Sequence, residues 1–168
     1  MIFEEIQIRD AVVNDLPLIT AIYNSTIPSR LVTADLEPVT WESKMPWFEA
    51  HNTSTRPLWV IEKDGEMLAW LSFQSFYGRP AYNGTAEISI YIHEKYRNIG
   101  LGKYLLQYAI DKAPELALKT ILAFIFDHNE PSIQLFKKFG FEQWAHLPNI
   151  AELDSIERGL LILGLRLN

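Results

Sequence analysis

The sequence predicts a mixed α/β layer fold, and three observations carry that reading. Apolar residues alternate at strand spacing in some stretches and recur at helical spacing in others. Their order is strand, two helices, three strands, then helix, strand, helix and strands, which is not the regular alternation of a doubly wound sheet. Finally, no repeat, low-complexity tract or Gly/Ser linker interrupts the 168 residues, and the nine prolines are spread along the chain, so residues 1–168 read as one domain.

Ile6 and Ile8 alternate with polar neighbours as a first strand. Asn14 and Asp15 then stand where an N-cap belongs, Pro17 fits a first helical turn, and Leu18, Ile19, Ile22 and Tyr23 form an apolar stripe. From Asn24 to Pro38 there is no periodicity, which predicts a loop able to cover a pocket. Thr40 caps a second helical stretch with Trp41, Trp47 and Phe48, its path complicated by Pro46. Leu58 to Glu62, Asp64-Gly65 and Met67 to Phe76 read as a hairpin, since Asp-Gly supplies the positive φ angles of a type I′ turn. A strand from Thr85 to His93 leads into a helix from Leu101 to Ala113. Thr120 to Phe126 is a buried strand, and a short helix from Pro131 ends at Gly140. Gln143 to Leu147 and Leu160 to Leu167 are the last strand candidates.

Twenty-one acidic residues against fifteen Lys and Arg leave a net charge of −6, the wrong sign for a duplex nucleic-acid binder. The absence of cysteine removes disulfides, thiolate metal sites and a cysteine nucleophile, and fits a reducing cytoplasm. The N-terminal stretch is acidic rather than signal-like, and no run approaches the ~20 apolar residues of a membrane span. His51, His93, His128 and His146 form no ligand pattern, so no catalytic metal is expected, and there is no Gly-x-Ser-x-Gly elbow.

The most informative local feature is Arg97-Asn98-Ile99-Gly100-Leu101-Gly102, between a strand and a helix. Such a turn presents backbone N–H groups and the positive end of a helix dipole, a combination that holds phosphates. Tyr104 after Lys103 excludes the Walker pattern, and Leu105 stands where a dinucleotide fold needs its third glycine. Lys95, Arg97 and Lys103 add local positive charge for an anionic ligand.

Arg97 to Gly102 matches the Arg/Gln-x-x-Gly-x-Gly/Ala turn of the GNAT N-acetyltransferases. Asn129-Glu130-Pro131-Ser132, running into Leu135 to Phe141, resembles that family's second signature. More narrowly, Tyr82 to Ile92 together with Ile22-Tyr23-Asn24 is similar to the phosphinothricin/methionine sulfoximine acetyltransferase branch. The resemblance implies a twisted, mixed, mostly antiparallel sheet flanked by helices, its middle strands splayed around acetyl-CoA. It implies a pyrophosphate site on the amides of Arg97, Asn98, Ile99, Gly100, Leu101 and Gly102, with Lys103 beside it. Asn98 replaces the family's usual glycine, and Asn tolerates left-handed backbone angles. A small primary amine as acceptor and a homodimer follow from the same resemblance, and the cysteine-free composition without a signal-like N-terminus adds the expectation of a cytoplasmic location.

Acetyl transfer needs a base, a stabilised oxyanion and a route for the leaving thiolate. Glu87, Ser89 and Tyr91 share one face of their strand while Ile88, Ile90 and Ile92 share the other, so the polar face can line a cleft. The resemblance assigns Glu87 as the base, acting directly or through water. It gives the oxyanion to a backbone amide where the strand bulges, at Tyr91 or Ile92, with His93 following into the turn. Phe136 stands where many relatives carry an acid tyrosine; Tyr104 and Tyr108 are substitutes by chemistry but packing residues by spacing. Asn129 and Ser132 match polar contacts to CoA, and read independently as an N-cap and a first-turn serine. Arg79, Tyr82 and Thr85 match the acceptor side, with Arg79 for a substrate carboxylate and Asn83 where a second arginine is common; Trp41, Trp47 and Phe76 are candidate walls. The competing functions are acetylation of a protein N-terminus, lysine or polyamine, and an acyl-CoA-binding sensor without turnover.

Overall fold

The computed structural model describes residues 2–168, and the side chains of residues 3–168. Seven strands form one sheet in the order β1-β2-β3-β4-β5-β7-β6. They are β1 (Gln7–Asp10), β2 (Leu58–Lys63), β3 (Glu66–Ser75), β4 (Thr85–Ile92), β5 (Thr120–Phe126), β6 (Glu142–Leu153) and β7 (Ile156–Arg166). Every neighbouring pair is antiparallel except β4 and β5. Four α-helices cover it: α1 (Leu16–Ser25), α2 (Met45–Glu49), α3 (Leu101–Lys112) and α4 (Glu130–Lys138).

The two sheet faces bury separate apolar clusters. Leu16, Ile19 and Ile22 of α1 meet Leu58, Val60 and Trp70 on one face, and Leu101, Leu105 and Phe136 meet Ile61, Leu71 and Ile88 on the other. That double burial is why β2 and β3 read as near-continuous apolar runs rather than as simple alternation. Leu18 is the exception in the predicted α1 stripe: it is 57% exposed, because the helix turns Leu16, Ile19, Thr20 and Ile22 inward and leaves Leu18 on its outer side. Asp15 sits at the N-terminus of α1, yet its carboxylate is taken by the Val12 N–H at 2.8 Å and by Arg9. Pro46 begins α2 rather than breaking it, after a 3-10 turn at Glu42–Lys44.

The Asp64-Gly65 turn closes the β2–β3 hairpin with φ angles of 52° and 77°. The last hairpin is longer than the sequence suggests, and β6 and β7 meet at Asp154-Ser155, with φ 53° and 66° and no glycine. The ladder between them shifts register between Leu147 and Ala151, at Pro148 and the left-handed Asn149. A proline is tolerated there because β6 is the sheet edge.

Gly159 on β7 is tightly surrounded. A Cβ there would overlap Asp127 Oδ2 and stand 2.8 Å from His146 Nε2 and 3.0 Å from the Leu147 carbonyl. The Gly159 N–H already donates to Asp127 Oδ2, and its carbonyl accepts from the Asp127 N–H at 2.9 Å. Gly159→Ala is expected to lower the urea midpoint by the equivalent of about 1–3 kcal/mol with the m-value unchanged, the range for overpacking, because the Asp127 and His146 side chains must swing away and lose their hydrogen bonds while the Leu147 carbonyl is backbone.

Candidate active site

β4 and β5 pair over only three registers, Thr85↔Thr120, Ala86↔Ile121 and Glu87↔Leu122, and then part. β4 meanwhile stays in unbroken register with β3 from Ser75↔Ala86 to Ala69↔Ile92. The sheet therefore opens between its two parallel strands, and Glu87 is the last paired residue before the opening.

Two cavities meet at this point. One, of about 430 Å³, lies in the gap between β4 and β5; it is lined by Ile88 and Ile90, by Phe124 and Phe126, by Asn129, Ser132 and Phe136, and by Leu31 to Ala34. The other, of about 230 Å³, lies under α1 and α2 and is lined by Thr20, Tyr23, Lys44, Trp47, Trp70 and Gln74. Glu87, Ser89 and Tyr91 border both. Strand alternation places these three side chains on one face, as the sequence predicts. Burial pushes the Glu87 carboxyl above the ordinary glutamate range.

The backbone of β4 has an equally definite orientation. The His93 N–H donates to the Leu68 carbonyl at 2.8 Å, and the Gly84 carbonyl accepts from Thr120 N–H on the β5 side. Peptide groups alternate along a strand, so those of Glu87, Ser89 and Tyr91 face β3 and those of Ile88, Ile90 and Ile92 face the gap. The expected bulge is not there, because the strands separate by divergence of β5 and not by an extra residue in β4. Of the two expected oxyanion donors, only Ile92 presents its N–H to the gap; the Tyr91 and His93 amides are turned to β3. The His93 ring accepts from the Lys95 N–H at 3.1 Å.

At the far end of the gap the chain turns into α3 through two left-handed residues, Asn98 at φ 63° and Gly100 at φ 88°. The first α3 amide hydrogen-bonded across the turn is that of Tyr104, on the Gly100 carbonyl at 3.1 Å, which leaves the N–H groups of Leu101, Gly102 and Lys103 in the unpaired first turn. The charges expected to serve this turn are mostly committed elsewhere. Arg97 points inward, donating from Nε to the Ile92 carbonyl at 3.0 Å and from a terminal nitrogen to Ser25 Oγ at 2.9 Å. Lys95 pairs with Glu66 at 3.2 Å. Lys103 is exposed, and Ile99 beside Gly100 is exposed as well.

The 27–39 loop covers the larger cavity and is fastened at several points. His128 meets the Arg30 carbonyl at 2.9 Å, Asn129 donates to the Leu31 carbonyl at 3.2 Å, and Asn24 exchanges two 2.9 Å hydrogen bonds with Val39. Asn129 also caps α4, accepting from the Ser132 N–H at 3.3 Å. The Tyr23 hydroxyl bonds both Thr33 and Asp35; burial and the Asp35 carboxylate push it up to about 12, so it stays protonated at neutral pH. Phe136 is buried edge-on against Phe141 and offers no proton. Tyr104 stacks on Phe3 and Tyr108 packs on Trp59, so neither lies at the gap.

The acceptor-side expectations fare less well. Arg79 and Tyr82 are exposed on the β3–β4 connection, where Phe76, Tyr77 and Tyr82 contact one another, and neither lines the smaller cavity. Thr85 lines a separate cavity with Arg56 and Lys119. Trp41 is 39% exposed, and of the predicted walls Trp47 alone is in place. Sequence reasoning missed Lys44, which sits three residues before Trp47 and so shares its helical face, the signal that could have found it. Among the described residues no cluster of three or more His, Asp or Glu could hold a metal, and no helix is long and apolar enough to cross a membrane.

A model of the acetyltransferase (GNAT) family matches residues 19–141. YwnH of Bacillus subtilis, named provisionally as a phosphinothricin acetyltransferase, is 56% identical over 155 residues, which are 92% of this chain and 94% of that protein. The L-methionine sulfoximine/L-methionine sulfone acetyltransferase of Pseudomonas paraeruginosa is 34% identical over 146 residues, 86% of this chain and 85% of that protein. YncA of Salmonella typhimurium, assigned provisionally as an acetyltransferase and solved with its cofactor acetyl-CoA, matches with a TM-score of 0.87 at 27% identity, over 98% of this chain and 95% of that one.

Proposed function

The chain belongs to the acetyltransferase (GNAT) family, and from that premise we propose that it transfers an acetyl group from acetyl-CoA directly to the primary amine of a small amino acid or amino-acid-like toxin of the phosphinothricin or methionine sulfoximine type. The observation that carries this reading is the position of Glu87, at the end of the β4–β5 pairing and on the shared border of two cavities. The names of the relatives support the acceptor class, and the cavity of about 230 Å³ is below the roughly 300–1,000 Å³ of drug-sized ligand pockets, which suits a single small acceptor.

In this reading acetyl-CoA supplies the thioester, and the chain supplies binding, a base and hydrogen-bond donors. The turn amides from Arg97 to Gly102 hold the pyrophosphate, with Lys103 adding charge, while the Arg97 side chain braces the Ile92 carbonyl at the end of β4. Asn129 and Ser132 face the pantetheine side of the gap. Glu87 takes the ammonium proton, directly or through water, and the freed nitrogen attacks the thioester carbonyl. The gap-facing amides of Ile90 and Ile92 donate to the developing oxyanion. Collapse breaks the carbon–sulfur bond, and the acylated nitrogen gives up its second proton to water; with Phe136 in place of an acid, the thiolate takes a proton from the same solvent, tolerable for a thiol with pKa near ~8.5. A cytoplasmic location and a homodimer belong to the same proposal, supported by the cysteine-free composition and by the family resemblance.

Thiol release from acetyl-CoA, measured against methionine sulfone, methionine sulfoximine, phosphinothricin, common amino acids, polyamines and short peptides, tests it. Turnover is expected with free amino-acid analogues. Turnover confined to peptides or polyamines would move the function to those acceptors, and CoA binding with no turnover would make the protein a sensor. The pH profile adds a second check. The base works ionised and burial raises its pKa, so kcat/KM is expected to fall as pH drops through a midpoint above the ~4.3 of an ordinary glutamate.

A further inference from the structure

The smaller cavity contains two charged side chains of opposite sign, Glu87 and Lys44. Lys44 is half-buried, with its Nζ 4.8 Å from the Tyr23 ring centroid. Among the described residues it has no carboxylate partner, whereas Arg9, Arg30, Lys63, Lys95 and Lys112 each have one. A cation resting on an aromatic face keeps its hydrogen-bonding capacity for another partner. That face is itself fixed, since the Tyr23 hydroxyl is tied to Thr33 and Asp35.

Much of the remaining wall is aromatic. Trp70 stacks on Tyr91 with centroids 4.6 Å apart, Trp47 meets Trp70 edge-on at 5.3 Å, and Tyr91 leans on Tyr23 at 5.2 Å. The Trp70 indole N–H donates to the Ile19 carbonyl at 3.0 Å, which anchors the stack to α1. The cavity thus offers one group that attracts an ammonium, another that attracts a carboxylate, and apolar ring surface beside them. A free α-amino acid carries its ammonium and its carboxylate on one carbon, so it brings both partners of this charge pair into the cavity together.

We propose that Lys44 receives the acceptor's carboxylate and thereby sets the preference for free α-amino acids over simple amines, polyamines and peptide N-termini. The proposal rests on the function proposed above and names the residue responsible for its acceptor class. It moves that role from the exposed Arg79 to a side chain inside the cavity. A polyamine would bring a second positive charge to Lys44, and a peptide N-terminus would bring a neutral amide, so both lose the pairing.

The test compares Lys44→Met, which keeps the side-chain length, and Lys44→Arg, which keeps the charge, with wild type. Each is assayed with methionine sulfone, its carboxamide and spermidine. The expected result for Lys44→Met is a KM for methionine sulfone raised about 10- to 100-fold, the size of one charge-assisted hydrogen bond, with kcat changed only a few-fold and the carboxamide KM unmoved. Lys44→Arg restores most of the loss. An equal KM rise for the acid and the carboxamide would overturn the proposal and make Lys44 a packing residue. No change, or a rise found instead in Arg79→Ala, would overturn it as well. In all these cases wild-type turnover of the amino acid leaves the proposed function standing. Wild-type activity on spermidine alone, or on no acceptor, would overturn both readings.

Discussion

Glu87→Gln lowers kcat/KM for the amino-acid acceptor by roughly 10²- to 10⁴-fold, the usual contribution of a positioned general base, while acetyl-CoA binding is unchanged. The amide preserves the shape of the side chain and cannot accept the ammonium proton. The sheet geometry concentrates the loss in one residue. Among the described residues, Glu87 is the only carboxylate bordering either of the two cavities that meet at the gap, so no neighbour there is placed to take over its role. Thiol release and calorimetric titration of acetyl-CoA, run on both proteins, separate the lost chemistry from lost binding. Equal turnover in the variant would remove Glu87 from the mechanism.

The same variant has an opposite effect on stability. Burial raises the folded-state pKa of Glu87 above its unfolded value. The stability linked to this proton is therefore fully present below the unfolded pKa of about 4.3, and is lost as pH rises through the folded pKa. At neutral pH the ionised carboxylate costs stability that a neutral glutamine does not. The Tm difference, variant minus wild type, is expected to be more positive at pH 8 than at pH 4. A mutation that removes activity while improving stability at high pH marks a charge held in a poor solvent for the sake of its chemistry.

The cleft-facing position of Glu87 was legible in the sequence because strand alternation is a local property, whereas its role as a base came from the family resemblance. The spacing of Glu87, Ser89 and Tyr91 against Ile88, Ile90 and Ile92 survives into the fold unchanged. The Asp64-Gly65 hairpin was legible for the same reason, since the residues that close it carry the backbone angles it needs. The end of the β6–β7 hairpin was not, because Asp154 and Ser155 adopt positive φ without a glycine to announce it, and Pro148-Asn149 interrupts the alternation. Lys44 was invisible for a different reason: its significance arises only when the 3-10 turn before α2 lays it over Tyr23 of α1 and beside β4, a meeting of three distant segments. Arg79 shows the converse. It lies close to Glu87 in sequence, yet the path of the β3–β4 connection leaves it exposed outside the smaller cavity.

Gly100→Val weakens acetyl-CoA binding by about tenfold or more, with KM for the acceptor little changed. The reason lies in the backbone, since a Cβ on Gly100 would meet only Phe3 Cζ at 3.8 Å, an ordinary contact. Gly100 has φ 88°, however, and a β-branched residue there is a genuine outlier. Left-handed backbone costs a side-chain-bearing residue roughly 1–2 kcal/mol, and 1.4 kcal/mol is tenfold in a dissociation constant. The chain can escape that cost by rotating the peptide groups on either side of residue 100. Such a rotation re-aims the N–H groups that open α3, at the place where the anion is proposed to sit. Asn98 bears the other left-handed angle, φ 63°, so the two positions define the turn together. Asn98→Gly serves as the control: it removes a side chain at positive φ without adding strain, and it is expected to bind acetyl-CoA as wild type does. Calorimetry with acetyl-CoA on both variants decides the matter. An unchanged Kd in Gly100→Val would mean that the cofactor's charge is held somewhere other than this turn.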